Sequence, residues 1–496
     1  MPRSVLLFRC VGASGGAGCH QHGAGQFRSV LFLARRLGFR YSNRMTYDDP
    51  IAALATPFGR SALAVVRCSG EGCLRLLAPA FSRPAALLEA ESHTVLYGRL
   101  LDRTTATVVD ELTAVVFREP RSYTGEDTVE LVCHGSPVTI EAVLSLLRRL
   151  GFRAAEPGEF TLRAFLAGKL DLTQAEAVAE LIDARTQRGR ALALHRLSGS
   201  VAERINAVKA RLVDITAAVE IHLDYPEEDS GEVEAPIDAV EAAMVDLQRL
   251  AATYATGRQL RDGAPVAIAG RTNAGKSSLF NLLLREDRSI VSEVHGTTRD
   301  YIEQGIEIHG VPISLYDTAG LRDTEEQIES EGIRRSEAII EGAAAVLYLI
   351  DGADPQPEDE RGRELGRARE LCPGAVIPIW NKIDLTQREA PRGFIALSSA
   401  TGEGLQELKA VLREAVLPDG GSEDGAAVIE SDRQRALIER AVAALGAVLE
   451  GLQQAMPLDL VAVDLQDALS ALGEITGEVA SAEILDAMFS KFCVGK

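Results

Sequence analysis

The chain has 496 residues, and at roughly 100–200 residues per domain this excludes a single small module and predicts two to four domains. Hydrophobic residues make up 46% and charged residues 25%, a globular composition that excludes wholesale disorder. The formal charge of −20, from 52 basic and 72 acidic residues, argues against capture of RNA or an anionic membrane by bulk electrostatics; any RNA contact must be local or supplied by a partner.

Residues 1–46 carry seven arginines (Arg3, Arg9, Arg28, Arg35, Arg36, Arg40 and Arg44) and no acid, so residues 47–496 hold 45 basic and 72 acidic side chains, a formal −27. Such a leader has the composition of a mitochondrial transit peptide. The alternative start is Met45, with the preceding stretch an upstream misread or a disordered tail. A cytoplasmic location follows from the second reading and a mitochondrial one from the first.

Residues 47–167 read as one α+β domain. Short runs rich in Val, Ile and Thr, at Ile51–Ala55, Ala62–Val66, Thr94–Tyr97, Ala106–Val109, Thr113–Phe117 and Thr128–Val132, predict strands. Helical patterns lie at Gly72–Ala78 and Val138–Leu150. From 168 to 262 the texture is helical: Thr173-Gln174-Ala175-Glu176 has capping-box spacing, and the pattern runs to about His222. The stretch Asp224-Tyr225-Pro226-Glu227-Glu228-Asp229 breaks it, and Ala239–Thr256 resumes it. Residues 263–418 alternate strands with helices, the mark of a parallel sheet. An acidic Gly-rich linker at 418–425 leads into a second helical part over 419–496. The order helix, α/β, helix predicts a split helical domain with an inserted α/β domain. No apolar run reaches the ~20 residues of a membrane span. Seven cysteines at 10, 19, 68, 73, 133, 372 and 493 show no CxxC pair or metal spacing, which predicts reduced thiols.

The chemistry concentrates in the inserted domain. Gly270-Arg271-Thr272-Asn273-Ala274-Gly275-Lys276-Ser277 matches G-x-x-x-x-G-K-[ST] between a strand at Pro265–Ala269 and a helix at Ser277–Leu284. Its glycines let backbone N–H groups wrap phosphates, Lys276 reaches the outer phosphates, and the Ser277 hydroxyl suits magnesium. Ser278 follows in the first turn of the helix. Asp317-Thr318-Ala319-Gly320 ends a later strand, where Asp317 can hold magnesium through water and the Gly320 amide can sense a γ-phosphate. Asn381-Lys382-Ile383-Asp384 follows the strand Ala375–Trp380; Asp384 can accept both N–H donors of a guanine edge while Asn381 and the Lys382 stem pack around the base. Ser398-Ser399 offers a backbone amide to the guanine carbonyl oxygen. The order and spacing of these motifs point to a GTPase.

The hydrolytic part departs from the commonest pattern. Leu321 stands where many small GTPases place a water-orienting Gln, and it cannot polarise water. Glu325, Glu326 and Glu329 are candidates to orient water, or solvate a loop and nothing more. Gly296-Thr297-Thr298-Arg299-Asp300 has the character of a switch, in which a threonine can complete the magnesium shell. The Asn273 amide oxygen, beside the α- and β-phosphates, can help hold a monovalent cation where an arginine finger otherwise acts.

Together with Tyr123-Thr124-Gly125-Glu126-Asp127, Pro157-Gly158-Glu159-Phe160-Thr161 and the terminal Phe492-Cys493-Val494-Gly495-Lys496, these motifs give residues 47–496 a close similarity to the MnmE (TrmE) family of tRNA modification GTPases. The resemblance implies an N-terminal domain that binds a tetrahydrofolate derivative, 5,10-methylene- or 5-formyl-tetrahydrofolate. It implies a homodimer whose G domains pair in a potassium-dependent way, with Asn273, Ser292, Val294 and Thr297 at potassium, Ser277 and Thr298 at magnesium, and Glu329 orienting water. It carries a folate role onto Arg67, Glu130, Lys169 and Lys496; ordinary surface charges are the alternative for Arg67 and Lys169. Cys493 matches a C-terminal cysteine that is either catalytic or a buried inert thiol. The implied reaction adds an aminomethyl or carboxymethylaminomethyl group at C5 of the wobble uridine of tRNA, in a heterotetramer with the FAD-binding partner MnmG. No flavin fingerprint is present in this chain, so FAD is expected only in the partner. Ser399 stands where the family usually has Ala, a change expected to alter the base contact little. The rivals are a ribosome-assembly or translational GTPase switch without modification chemistry, and a scaffold with a vestigial folate pocket.

Overall fold

The computed structural model describes residues 49–184, 186–224, 237–287, 303–317, 337–416, 428–454 and 456–495. The leader, most of the segment read as a breaker after Asp224, the switch at 296–300 and the linker at 418–425 lie outside them. Two compact units emerge, one containing the chain up to Leu170 and from Ser481 onward, the other Asp171–Ala480.

In the first unit, β1 (Ile51–Leu54), β2 (Leu63–Ser69), β3 (Thr94–Asp102), β4 (Thr107–Phe117), β5 (Thr128–His134) and β6 (Arg153–Ala154) form one sheet in the order β3-β4-β5-β2-β1-β6. Neighbours are antiparallel except β1 and β6. Ala64, Val66 and Cys68 of β2 and Val129, Leu131 and Cys133 of β5 point into the core. The helix Pro137–Leu150 lays Ile140, Val143, Leu146 and Leu147 on that core, and Gly151, at φ +106°, ends it. Because side chains alternate along a strand, Arg67 and Glu130 emerge on the other face, and the β2–β5 register sets them directly opposite one another.

Two runs read as separate strands, Ala106–Val109 and Thr113–Phe117, fall in one strand, β4, except for Ala106, which belongs to the preceding turn. The polar residues between them have cross-strand partners: Glu111 pairs with Arg99 and Asp110 with His134. The sequence reading carried the second helical part through to 496. The helix Ala482–Phe489 and its tail pack with the first unit. A Cβ on Gly158, at φ +68°, would stand 2.6 Å from Phe489 O, and Gly158 N donates to Cys493 O at 3.4 Å. Glycine there lets the tail lie against the backbone.

The second unit holds a sheet in the order β12-β11-β10-β7-β9-β8, from β7 (Ala264–Gly270), β8 (Glu303–Ile308), β9 (Val311–Asp317), β10 (Ala345–Asp351), β11 (Ala375–Asn381) and β12 (Ile395–Leu397). Only β8 runs antiparallel to its neighbour. The central strands are nearly continuous apolar runs because helices cover both faces.

Helices from before and after this sheet share one core, in which Val201, Ile205, Leu212, Val240 and Leu247 meet Ile438, Leu445, Val448, Leu465 and Leu472. The long pattern ending near His222 is three helices, Leu172–Asp183, Gln187–Leu197 and Ser200–Asp224. The first is capped two residues earlier than its spacing suggested. Asp171 is the N-cap, and its carboxylate and the Gln174 side chain exchange hydrogen bonds with each other's backbone N–H at 3.0 Å. The segment read as Ala239–Thr256 is two helices, Ile237–Ala252 and Tyr254–Asp262. They break at Thr253, whose hydroxyl donates to Leu250 O and accepts from Ile429 N.

That break marks where the chain enters and leaves the α/β domain. Arg261 Nη1 donates to Glu430 O at 3.3 Å. The Glu430 carboxylate and Glu180, the latter at 2.7 Å, share the buried guanidinium of Arg196, while Glu176 holds Arg433 at 2.8 Å. Burial first, with Glu430 and Glu176 adding to it and Arg196 opposing, pushes Glu180 up to about 7. In the unfolded chain it titrates near 4.3, so the folded state binds the extra proton between these values and loses stability as pH rises through them. Glu180→Gln therefore gains stability relative to the unsubstituted chain between pH 5 and pH 8, by roughly 2–3 kcal/mol. Urea unfolding at both pH values measures this, and a difference independent of pH contradicts it.

Candidate nucleotide-binding site

β7 ends at Gly270, where φ is +136° and a Cβ would fall 2.3 Å from Leu349 O of the neighbouring strand. Only glycine permits that crossing. The chain then turns through Asn273 at φ +65° and Gly275 at φ +99°, and the helix Lys276–Asp287 begins. Lys276 folds back over this loop, its ammonium donating to Gly270 O at 2.9 Å and Arg271 O at 2.8 Å. The guanidinium of Arg271 is drawn away to Glu360 and Glu364 on the helix Glu358–Leu371. The open N-terminal turn of the helix Lys276–Asp287 and the cation above it make an anion cradle.

At the lip of the cradle, Ser277 Oγ donates to Asp317 Oδ2 at 3.2 Å, bringing together the ends of β7 and β9. A hydroxyl and a carboxylate at this spacing are hard oxygen donors that fit magnesium. Ser278 is exposed beside them, and Ala274 is buried below.

The residues whose motif predicts base recognition are attached to the same loop by one side chain. Asn381, 1% exposed at the end of β11, donates from Nδ2 to Ala274 O at 2.7 Å. Its Oδ1 accepts from Ser399 N at 3.0 Å and Ser399 Oγ at 2.9 Å. Ser398 Oγ donates to Asp384 Oδ1 at 2.6 Å and accepts from Thr401 N at 3.1 Å. Asp384 is thereby aimed while remaining exposed. Lys382, at φ +65°, is pinned by Asp351 at 2.6 Å. Sequence reasoning missed Asp351 and the Ser399 hydroxyl. Neither signal is local, since each partner sits on another strand.

A Cβ on Gly275 would stand 2.2 Å from Asn381 Nδ2. Gly275→Ala forces that amide away and strains a left-handed residue, so guanine-nucleotide affinity falls at least about tenfold. Calorimetric titration with GDP measures the loss; affinity within twofold of the unsubstituted chain contradicts the assignment.

In the first unit, Arg67 and Glu130 are brought together. Arg67 Nη2 lies 2.8 Å and Nε 2.9 Å from Glu130 Oε1. Its guanidinium stands over the rings of Tyr123 and Phe160, 5.3 and 5.6 Å from their centroids. Arg67 Nη1 also donates to Gly495 O at 3.4 Å, so the C-terminal tail reaches this pair. Lys169 lies beyond Tyr123, in a cleft of about 450 Å³ lined by His93, Phe117, Arg121, Ser122, Tyr123 and Lys169, and its ammonium donates to Pro120 O at 2.9 Å. Aromatic walls with the cations of Arg121 and Lys169 fit a flat heterocycle bearing carboxylates.

The two N-terminal motifs support this site from below. Tyr123 Oη and Thr161 Oγ1 share a hydrogen bond of 2.9 Å. Glu159, almost fully buried, accepts from Arg153 at 2.6 Å and Arg163 at 2.8 Å, and Arg163 also reaches Glu126 at 3.1 Å. Burial alone would raise the Glu159 pKa; Arg153, the Glu156 N–H and Arg163 more than offset it and hold the carboxyl below its ordinary range. Cys493 is an exposed free thiol, unlike the buried Cys73, which burial first pushes up to about 12, and Cys133, pushed up to about 11. Exposure sets aside the buried-thiol reading of Cys493 without assigning it chemistry. Ser292, Val294, Thr297, Thr298, Thr318, Ala319, Gly320, Leu321, Glu325, Glu326, Glu329 and Lys496 lie outside the described residues. Among the described residues no helix is long and apolar enough to cross a membrane.

A family model for the MnmE helical domain matches residues 172–493, and one for the GTP-binding protein TrmE N-terminus matches residues 50–169. The tRNA modification GTPase MnmE of Borrelia recurrentis (strain A1) is 41% identical over 461 residues, covering 90% of this chain and 98% of the relative. That of Treponema denticola is 41% identical over 468 residues, covering 91% and 99%. That of Carboxydothermus hydrogenoformans is 39% identical over 466 residues, covering 90% and 100%. With both family models matching and relatives aligned over nearly their whole length, this chain belongs to the MnmE (TrmE) family of tRNA modification GTPases.

Proposed function

We propose that the chain is the GTP-hydrolysing subunit of a complex that adds an aminomethyl or carboxymethylaminomethyl group to C5 of the wobble uridine of tRNA. The observation that carries the nucleotide part is the single carboxamide of Asn381, which ties the phosphate loop at Ala274 to the base-recognition turn at Ser399. A site built this way binds phosphate and guanine as one object.

In this reading Lys276 neutralises the outer phosphates, the N–H groups of the loop and of the first helical turn point at the others, and Ser277 holds magnesium with Thr298, Asp317 acting through water. Asp384 accepts from the guanine edge. Asn273, Ser292, Val294 and Thr297 form the potassium site that pairs two G domains, and Glu329 orients water. Potassium, when bound, supplies positive charge where Arg271 does not, since that guanidinium is held by Glu360 and Glu364.

The folate derivative belongs to Arg67, Glu130, Lys169 and Lys496. The aromatic cleft beside Lys169 and the glutamate-paired Arg67 support this reading. The chain works as a homodimer, in a heterotetramer with MnmG, which carries FAD; a basic partner surface compensates for this chain's net negative charge in capturing tRNA. Cys493 stands exposed on the tail that reaches Arg67, where a thiol can serve the modification step. The complex acts in the cytoplasm, or in mitochondria if residues 1–46 are a transit peptide.

Lys276→Ala removes the cation from the cradle. GTP binding then weakens by at least about 100-fold, and the C5-modified wobble nucleoside disappears from the tRNA of a deletion strain carrying the variant, as measured by mass spectrometry of nucleosides. Retained modification in that strain contradicts the coupling of GTP hydrolysis to modification.

A further inference from the structure

Asn381 Oδ1 receives two donors from one residue, the backbone N–H of Ser399 at 3.0 Å and its hydroxyl at 2.9 Å. One donor suffices to fix a carboxamide against flipping, because Nδ2 is already committed to Ala274 O. The second is surplus in this structure. Asn381 is 1% and Ser399 9% exposed, so water is a poor substitute for either bond, and an unmet buried amide oxygen is costly.

On the guanine-nucleotide reading, the surplus donor is the backbone group that would meet the base. Ser398 is bonded through its hydroxyl to Asp384 Oδ1 at 2.6 Å, so the Ser399 amide is the next backbone donor along from the carboxylate that takes the N1–H and 2-amino group of guanine. The 6-oxo group is adjacent to N1 on that edge. With alanine at 399, a single N–H would have to serve both Asn381 Oδ1 and the 6-oxo oxygen. With serine, the hydroxyl alone can hold Asn381.

We propose that Ser399 is a specificity-setting residue for 6-oxopurine nucleotides: its hydroxyl retains Asn381 when the base arrives and frees its own N–H for the 6-oxo oxygen. The inference rests on the guanine-nucleotide reading above and adds to it a residue whose side chain was expected to matter little.

Titration of the full chain with GDP and with 6-thio-GDP, which keeps the N1–H and 2-amino donors but replaces the 6-oxo oxygen by a poor acceptor, tests it. Ser399→Ala is expected to weaken GDP binding roughly fivefold, the worth of one buried hydrogen bond, and to change 6-thio-GDP binding less than about twofold. Ser399→Thr, which keeps the hydroxyl, is expected to bind GDP within about twofold of the unsubstituted chain. Equal weakening for both nucleotides would overturn the proposal in favour of a structural role, and an unchanged GDP affinity in Ser399→Ala would overturn it outright. If the unsubstituted chain bound no GDP, the guanine-nucleotide reading itself would fall, a result distinct from either.

Discussion

The carboxamide of Asn381 gives one N–H to the phosphate loop and takes two donors from the turn after β12, and the nucleotide site is assembled around that exchange. Residues 107 positions apart are held at 2.7 Å, in a place too dry for water to replace the bond. Gly275 is required on one side because any side chain would occupy the amide's position. Ser398, Ser399 and Asp384 are ordered on the other. Low dielectric strengthens each of these hydrogen bonds and makes each unmet one costly, so the group behaves as a unit.

Ion pairing plays the corresponding part elsewhere. Arg163 and Arg153 close on Glu159 beneath Tyr123 and Phe160, the rings that carry Arg67. In the second unit, Arg196 is shared by Glu180 and Glu430 where the chain enters and leaves the α/β domain. Buried ion pairs are weak evidence for stabilisation, but these fix the orientation of the two connecting segments. Such a junction is suited to passing a change in the α/β domain into the helices, because displacing either segment leaves a buried charge unmatched.

Much of this was legible in the sequence where the constraint is local. A phosphate loop needs glycines at set positions, a strand before it and a helix after it, and Gly270, Gly275 and Lys276 meet that demand within eight residues. Buried parallel strands announce themselves as continuous apolar runs. What escaped is what depends on long-range pairing. The Asp110-Glu111 pair looked like a break in a strand, yet His134 and Arg99 keep β4 whole. The C-terminal tail reads as more helix, and only Gly158 and Gly495, positions where backbone crosses backbone, place it near Arg67. Ser399 looked neutral because its backbone was the obvious contact; its hydroxyl matters through Asn381, a residue on another strand. Arg67 and Glu130 could be named from a resemblance, but their mutual pairing is a property of register.

The central claim is that Asn381 mechanically joins the turn after β12 to the loop at 270–275, and hydrogen–deuterium exchange on Asn381→Ala without nucleotide examines it most directly. The account predicts that amides of residues 270–277 exchange at least about fivefold faster in the variant, although the substitution lies on a different strand and touches no phosphate. Unchanged protection of that loop, with faster exchange confined to residues 398–401, would contradict it.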